Sequence, residues 1–413
     1  IVNDNIGEIM SKLFTSRVVF LAFVLLSLVG CQDNQGDDVV SFWAYQPSTQ
    51  AHQNAFRSLI ADFTEETGIK VKLNLVVKDS FNMALNSALS GRSKPDMSYL
   101  DQPLIADYAS DGTIEDITSM FADFSSVQED DFFATAFQTN EYDGKLYGLP
   151  LNVTASVLFY NKDMVESAPE TWDEWLACRE DLPQGKSLFD GIGNGGYAGW
   201  YFQAFLANCG GSLLNDQQTA VAFNDAHGVE AAQMIRNLYG SDQTSITNRG
   251  TSDAFGNGLV AFKLGSSSDI DRFDINFPTL DYDVALVPSK TGATSYSNMG
   301  GENIVVYSHS NLKDKCASLI EYLLREDSLD KLSDFTGNFP AIREFATSED
   351  ARLNVIIAQM ENSVPRPVVP KWIRVNDDYL GPALGDKILS DENPRDIQTS
   401  LDDAAAAANQ LLF

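Results

Sequence analysis

Histidine and cysteine are scarce in this chain, which has three histidines and four cysteines among its 413 residues. His52, His227 and His309 lie far apart, and no pair of histidines or cysteines has the short spacing found in zinc sites. The sequence therefore predicts no metal site. It also has neither a P-loop nor a nucleophile elbow, so standard nucleotide and hydrolase chemistry lacks its parts. We expect a binding role that requires no cofactor.

Basic residues are few as well. The chain has 28 lysines and arginines against 58 aspartates and glutamates, which gives a formal net charge of −30 at pH 7. Nucleic-acid phosphates and anionic lipid headgroups repel a protein of this charge. We therefore expect no nucleic-acid partner and no attachment to membranes through surface charge.

The only long apolar run covers residues 18–29, which are too few to span a bilayer. Lys12 and Arg17 precede this run, and Gly30 and Cys31 follow it. Such a pattern is typical of a secretory signal peptide, which we place at residues 1–30. An uncleaved anchor, or a signal peptide in which the cysteine occurs by chance, is the alternative. The polar residues 31–38 are expected to form a flexible tether.

Residues 28–31, Leu-Val-Gly-Cys, resemble a bacterial lipobox. The resemblance implies cleavage before Cys31 and a diacylglyceryl group on its thiol. The mature protein would then be lipid-anchored in the periplasm or at the cell surface, with the lipid as its only link to the membrane.

The other cysteines are Cys178, Cys209 and Cys316, so at most one disulfide can form among them. Cys316 is spaced like the buried face of a helix, together with Leu319 and Leu323, which favours a free thiol there. Cys178 and Cys209 are therefore the candidate pair.

Strands and helices alternate from residue 39 onward. Strands are predicted at 39–44, 69–77 and 95–100, and helices at 48–67, 80–90 and 104–111, which indicates an α/β fold with a parallel sheet and helices on both faces. A second region opens near residue 151, with a strand at 153–160 and a capping box at Thr171 and Glu174. About 380 residues exceed what one hydrophobic core usually organises, so two lobes are expected.

Several short strings, in a fixed order, resemble one family along almost the whole chain after residue 39. The more specific ones are residues 142–150 and 157–163. The family is that of the extracytoplasmic solute-binding proteins of ABC importers, in the group that includes maltose-binding and other sugar-binding proteins. The remaining strings are residues 40–44, 95–100, 171–175, 254–258, 300–303 and 336–340.

The resemblance implies a two-lobed periplasmic-binding-protein fold of type II, in which each lobe is a sheet flanked by helices and a hinge joins them. Lobe 1 would comprise residues 39–150 plus 284–333, and lobe 2 residues 151–283 plus 334–413. A monomer of this kind captures a carbohydrate, here a di- or oligosaccharide, and delivers it to the permease transmembrane subunits. It is not an enzyme.

Aromatic planes and fixed hydrogen-bonding groups are what a sugar site requires. Trp43, Tyr45 and Gln46 follow the first predicted strand, and Asp101 follows the third, at the sheet edge where ligands bind. Trp43 can instead belong to the core, and Asp101 can instead cap a helix.

Further candidates lie along the rest of the chain. Trp200 or Tyr201 begins a predicted helix and would stack on the sugar, while Arg366, between two prolines, would clamp a hydroxyl or an acidic sugar or pair with a carboxylate. Ser267 belongs to the run of serines at 266–268 that follows a predicted strand and a glycine, where many relatives in the resembled family have a tryptophan; Trp372 could replace that ring. The remaining candidates are Asn152, at a turn that touches ligand in the family, and the glycine-turn residues Gly301, Glu302 and Asn303.

Two other interpretations compete with this one. Residues 191–196 match the G-x-G-x-x-G pattern of dinucleotide-binding proteins, but no strand is predicted before Gly191, so a surface turn is favoured. A secreted glycoside hydrolase would need two carboxylates across a cleft, for which Asp101 and Glu302 are the candidates.

Overall fold

The computed structural model describes residues 38–193, 195–240, 252–390 and 394–413. The expected signal peptide and the lipidated Cys31 lie outside the described residues, as does the expected tether apart from its last residue. Residues 40–413 form one compact unit. Within the described ranges, no helix combines the length and the apolar character needed to cross a bilayer.

The strands, in chain order, form two main sheets and a small hairpin. They are β1 (Val39–Tyr45), β2 (Lys70–Val76), β3 (Met97–Asp101), β4 (Glu141–Tyr142), β5 (Lys145–Leu146), β6 (Leu149–Ala155), β7 (Val157–Asn161), β8 (Ser187–Phe189), β9 (Val260–Gly265), β10 (Tyr282–Ala285), β11 (Ser297–Val306), β12 (Phe339–Pro340) and β13 (Ser363–Val364).

Helices cover the sheets and end the chain. They are α1 (Gln50–Thr67), α2 (Lys78–Ser90), α3 (Ile105–Ser110), α4 (Thr118–Ala122), α5 (Ala134–Gln138), α6 (Trp172–Ala177), α7 (Gly196–Asn208), α8 (Ala226–Tyr239), α9 (Ser252–Gly256), α10 (Ser267–Asn276), α11 (Lys313–Leu323), α12 (Glu326–Thr336), α13 (Ala351–Met360), α14 (Trp372–Arg374) and α15 (Ile397–Leu412). Two π-helical segments, Val375–Leu380 and Ala383–Ile388, follow α14.

The first sheet has the strand order β12-β6-β11-β3-β1-β2, with β13 also paired to β11. β1 and β3 are parallel, as the alternating pattern predicts. The expectation of a wholly parallel sheet is wrong, however, because β11 inserts between β3 and β6 and runs antiparallel to both. The second sheet, β10-β7-β9-β8, is also mixed, since β8 is parallel to β9 while β7 is antiparallel to β9 and β10.

The chain passes from the first sheet to the second at Ser156, between β6 and β7. The sequence predicts one strand over residues 153–160, but two strands form there. Ser156 donates its N–H to the Asn298 carbonyl at 3.4 Å, and its own carbonyl accepts from the Ser297 hydroxyl at 2.6 Å. The predicted lobe boundaries remain an expectation; the structure gives only which sheet each strand joins.

Aromatic side chains fill both cores. Beside the first sheet, Phe42 packs edge-on against Phe56 and Tyr99, with ring centroids 6.1 and 5.7 Å away. On one face of the second sheet, Trp175 of α6 contacts Phe189 and Phe205 and is fully buried. The predicted capping box positions this helix, because Thr171 accepts from the Glu174 N–H at 3.2 Å and the Glu174 carboxylate accepts from the Thr171 N–H at 3.1 Å.

The candidate disulfide does not form. Cys178 and Cys209 are free thiols at the ends of different helices. The Cys178 thiol donates to the Glu174 carbonyl and the Cys209 thiol to the Leu206 carbonyl, both at 3.3 Å, so each is engaged by its own helix. Cys316 is also free and fully buried on α11, as its helical spacing predicts.

Arg352 on α13 joins two acidic residues from different parts of the chain. Its guanidinium donates to both carboxylate oxygens of Asp274, at 2.9 and 2.8 Å, to Asp350 at 2.7 Å and to the Tyr282 hydroxyl at 2.9 Å. These hydrogen bonds hold the pKa of Asp274 and the pKa of Asp350 below their usual values. The ion-paired forms therefore stabilise the folded state.

We expect the Arg352→Met variant to lose about 1–2 kcal/mol of unfolding free energy at pH 7, since the pairs are partly solvated. A depressed carboxyl pKa gives stability that is present above the unfolded value, about 3.9, and is lost as the pH falls through the folded value. Urea denaturation at pH 7, 5 and 3 should show that the difference in unfolding free energy between the variant and wild type becomes smaller towards pH 3. The exposed pair of Arg374 and Asp378 supplies the control, Arg374→Met, which should change stability by less than about 0.5 kcal/mol. A constant gap at all three pH values would refute the assignment.

Candidate functional site

A cavity of about 800 Å³ opens beyond the carboxyl ends of β1 and β3. Its walls come from residues attached to both sheets: the loop after β1, the end of β3 and the centre of β11 on one side, and α7, the start of α10 and the π-helical segment on the other. Ligands of open α/β sheets bind at this edge. Among the described residues, no group of three or more histidine, cysteine or acidic side chains is arranged to hold a metal ion.

A row of polar residues crosses the first sheet at the cavity. Glu302 on β11 is paired in register with Asp101 on β3 and with Asn152 on β6. The ladder to β6 shifts between Glu302 and Asn303, which marks a local irregularity. Gly301 precedes it with φ +147°, and a Cβ there would lie 2.1 Å from the Asn152 carbonyl oxygen. Only glycine fits this position.

Both acidic residues of the row are ion-paired. The Lys78 ammonium lies 3.0 Å from Glu302, whose other carboxylate oxygen accepts from the Asn338 amide at 3.4 Å. The Arg366 guanidinium donates to both oxygens of Asp101. These contacts fix the carboxylates in place, so they present acceptors of defined direction to the cavity.

Tyr45 supports the same wall from the end of β1. Its ring packs edge-on against Phe81, with centroids 4.6 Å apart, and the Lys78 ammonium lies 5.1 Å from its centroid. Burial, together with the nearby charges of Asp101 and Glu302, raises the pKa of Tyr45 above its usual value. The hydroxyl therefore stays protonated and can donate a hydrogen bond.

Another part of the lining is aromatic. On α7, Trp200 and Tyr201 have ring centroids 5.0 Å apart, and Tyr197 lies edge-on to Trp200 at 6.5 Å. Tyr197 is 69% exposed at the same wall. The indole N–H of Trp200 is buried and has no partner among the described residues. These rings offer apolar faces next to an unused donor.

The glycine-rich turn before α7 corrects one expectation from the sequence. A strand does precede Gly191, because β8 ends at Phe189. The glycines that follow serve helix packing: a Cβ on Gly199 would lie 2.3 Å from the Asn376 side-chain oxygen, and the Asn376 amide donates to the Gly196 carbonyl at 2.9 Å. Small residues here let the π-helical segment contact α7 directly.

The structure brings most of the predicted site residues to this cavity, and it places others behind its walls. Trp372, although at the lining, is only 2% exposed and packs in the core beside the second sheet, which leaves little of its ring for stacking. The predicted residues that line the cavity are Tyr45, Gln46, Asp101, Trp200, Tyr201, Gly301, Glu302, Arg366 and Trp372.

Four predicted residues are not among the lining. Trp43 is half-buried against the core, as its alternative interpretation allowed. Asn152 and Asn303 are fully buried. The Ser267 hydroxyl lies 3.1 Å from the Thr154 hydroxyl and is buried, while its neighbours Ser266 and Ser268 line the cavity.

Sequence reasoning missed several lining residues. Lys78 follows the second predicted strand, so the rule that selected Tyr45 and Asp101 could have found it. Asn338 lies within one of the resembling strings. Asn376 and Asp377 carried no signal, because they belong to a π-helical segment that has no sequence pattern of its own.

The sequence is similar to those of known proteins along most of its length. The model of a family described as bacterial extracellular solute-binding protein matches residues 58–358. Maltodextrin-binding protein MdxE of Bacillus subtilis (strain 168) is 22% identical over 350 residues, which cover 79% of this chain and 80% of that protein. The galactooligosaccharide-binding protein of the same strain is 23% identical over 393 residues, covering 86% and 88%.

Solved structures share the fold. The cyclic α-maltosyl-1,6-maltose binding protein from Arthrobacter globiformis superposes with a TM-score of 0.77 at 23% identity, covering 91% of this chain and 98% of that one. The sugar-binding protein MalE from Xanthomonas citri gives a TM-score of 0.78 at 22% identity, covering 91% and 97%. These similarities confirm the predicted α/β, two-lobed fold class. The family model matches most of the length of this chain, which therefore belongs to the bacterial extracellular solute-binding protein family.

Proposed function

We propose that this protein binds a carbohydrate, a di- or oligosaccharide, in the cavity and delivers it to the permease subunits of an ABC importer. The observation that carries the proposal is the pairing of two unlike walls. Trp200 and Tyr201 supply ring faces, and the ion-paired Asp101 and Glu302 supply fixed acceptors to the same cavity.

These two walls match the two kinds of surface on a sugar. The C–H face of a pyranose packs on an aromatic ring, and its hydroxyls need donors and acceptors of fixed geometry. A mismatched hydroxyl leaves a buried polar group unpaired, at about 1–3 kcal/mol each, so we expect affinity to depend on stereochemistry. The names of the two Bacillus relatives, one binding maltodextrin and the other galactooligosaccharide, support this ligand class.

A cavity lined by residues attached to both sheets supports hinged closure. Only a closed form lets residues attached to both sheets contact one ligand, so ligand binding shifts the population toward closure. The closed monomer would then dock on the permease. We also propose the signal peptide at residues 1–30 and the lipid anchor on Cys31, which would hold the receptor in the periplasm or at the cell surface.

The positions of the two candidate acids argue against a glycoside hydrolase. Asp101 and Glu302 are neighbours on adjacent strands of one wall, and each is engaged by a cation. A hydrolase needs its two carboxyl groups on either side of the scissile bond. We therefore propose that the protein binds sugar without converting it.

We expect at least one saccharide from a panel of mono- and oligosaccharides to raise the thermal midpoint. A ligand at one hundred times its Kd adds about 2.7 kcal/mol of stability, which for a protein of this size corresponds to about 3 °C. Differential scanning fluorimetry measures the shift, and a reducing-end assay on the same samples should stay flat. Polyols such as glycerol and free amino acids serve as controls. A panel with no shifting saccharide would contradict the ligand class, and release of reducing ends would contradict the binding role.

A further inference from the structure

The charges that line the cavity are unequal in number. Its cationic lining residues are Lys78 and Arg366, whereas its acidic lining residues are Asp101, Asp269, Glu302 and Asp377. Both cations are already engaged, Lys78 by Glu302 at 3.0 Å and Arg366 by Asp101. Among the described lining residues, acidic side chains therefore outnumber cations, and each of the two cations already has a carboxylate partner.

Asp269 is neutralised from behind the wall. Arg272 lies 3.4 Å from one of its carboxylate oxygens, and Lys263 lies 3.7 Å from the other. Neither of these basic residues is among those lining the cavity. Asp269 also accepts from the Ser266 N–H at 3.2 Å, which fixes the start of α10.

Asp377 is the acidic lining residue for which the described part of the chain shows no ion pair. One of its oxygens accepts from the Asn376 amide at 2.9 Å. The same oxygen lies against the first residue of α7, since a Cβ on Gly196 would be 2.1 Å from it. Asp377 is therefore held at the helix that carries Tyr197 and Trp200. Asp377 is exposed to solvent. Partial burial raises its pKa and the charges of Asp378 and Asp101 add to that, whereas the Asn376 amide and the charge of Arg366 lower it.

A second observation indicates that a polar ligand enters the same cavity. Tyr99 lines the cavity and is only 1% exposed, yet its hydroxyl has no hydrogen-bond partner among the described residues. A buried hydroxyl without a partner is costly, so a ligand that supplies one gains affinity. The cavity thus combines a hydroxyl without a partner, a carboxylate without an ion pair among the described residues, and the ring faces of α7.

We propose that the saccharide bound by this cavity carries a protonated amino group, and that Asp377 is the residue that selects for it. This inference rests on the saccharide-binding function proposed above. An ammonium group beside Asp377 would supply the missing counter-charge, and the neighbouring faces of Tyr197 and Trp200 would stabilise it through cation–π attraction. A uronate would instead meet a lining whose acidic residues outnumber its two ion-paired cations.

The test uses sugars that share ring stereochemistry and differ in charge: glucose, glucosamine and glucuronate, then the matching galactose and mannose sets, with cellobiose and β-1,4-diglucosamine as the disaccharides. Isothermal titration measures each affinity on the full-length protein at pH 6, where the amines are protonated. We expect the amine to bind at least tenfold more tightly than its neutral counterpart in at least one set, and the uronate to bind most weakly there.

Asp377→Asn should reduce the ratio of amine to neutral affinity to less than threefold. Asp378→Asn is the matched control, because Asp378 is adjacent, is paired with Arg374 at 3.4 Å and does not line the cavity. It should leave the ratio unchanged. The inference is overturned if neutral sugars bind as tightly as the amines in every set, or if the amine preference survives in Asp377→Asn. Either result leaves the proposed saccharide-binding function intact. If no sugar of any charge binds, the proposed saccharide function fails, and this inference fails with it.

Discussion

Replacing Gly301 with alanine is expected to lower the free energy of unfolding by about 3–4 kcal/mol. Two costs add. The backbone has φ +147°, a conformation that residues with a side chain rarely adopt, and the new Cβ would lie 2.1 Å from the carbonyl oxygen of Asn152. That oxygen belongs to the backbone of the neighbouring strand β6, so it cannot rotate away as a flexible side chain could. Urea denaturation followed by tryptophan fluorescence and circular dichroism measures the loss.

Gly300 gives a matched control one residue earlier in the same strand. A Cβ there would meet the Thr154 methyl and the Trp200 ring at 3.6 Å, which are ordinary van der Waals distances. Gly300→Ala should therefore cost less than about 1 kcal/mol. If both variants lose the same stability, the effect belongs to glycine in a strand generally, and not to the close approach at Gly301.

Replacing Trp200 with alanine is expected to weaken binding of the cognate saccharide by about 100- to 1000-fold, because a central aromatic anchor is worth roughly 3–4 kcal/mol. Its ring forms the middle of the aromatic wall, 5.0 Å from Tyr201 and 6.5 Å from Tyr197. Its buried indole N–H also has no hydrogen-bond partner in the part of the chain that the structure describes, and a sugar hydroxyl can accept from it. Isothermal titration with whichever saccharide raises the thermal midpoint measures the change.

Two variants separate stacking from general damage. Trp200→Phe keeps a ring face but loses the indole N–H, so its affinity for the saccharide should lie between those of wild type and the alanine variant. Phe413→Ala removes an aromatic ring that is 58% exposed and does not line the cavity, and its affinity should match wild type. If Trp200→Ala has the thermal midpoint and the saccharide affinity of wild type, the Trp200 ring does not belong to the binding site.

Local patterns explain which parts of the fold the sequence predicts. The alternation of residues 39–111 depends on spacing within each element, and all six predicted elements there are present as strands β1–β3 and helices α1–α3. The position of β11 depends instead on which strands it meets in space, and hydrophobic spacing within β11 carries no information about that choice. The sequence therefore does not predict that the first sheet contains both parallel and antiparallel strands.

The site divides in the same way. Tyr45 and Asp101 were found because they follow strands of a predicted sheet, and chain position alone brings such residues to one edge. Trp372 looked like an accessible ring, but burial is decided by tertiary packing, and it lies in the core. The pairing of Cys178 and Cys209 failed for a related reason, because spacing in sequence does not place two thiols together.

The central position of β11 has a consequence for the order in which this molecule can fold. β11 ends at Val306, and its partners β3 and β6 contain residues 101 and 152. Synthesis delivers both partners long before the strand that separates them, so the two edges stay open during that interval. Pairing across such long loops also carries a high entropic cost before it is rewarded. We therefore expect the first sheet to close late in folding. The polar row of Asp101, Glu302 and Asn152 at the cavity is complete only once β11 has paired with both neighbours.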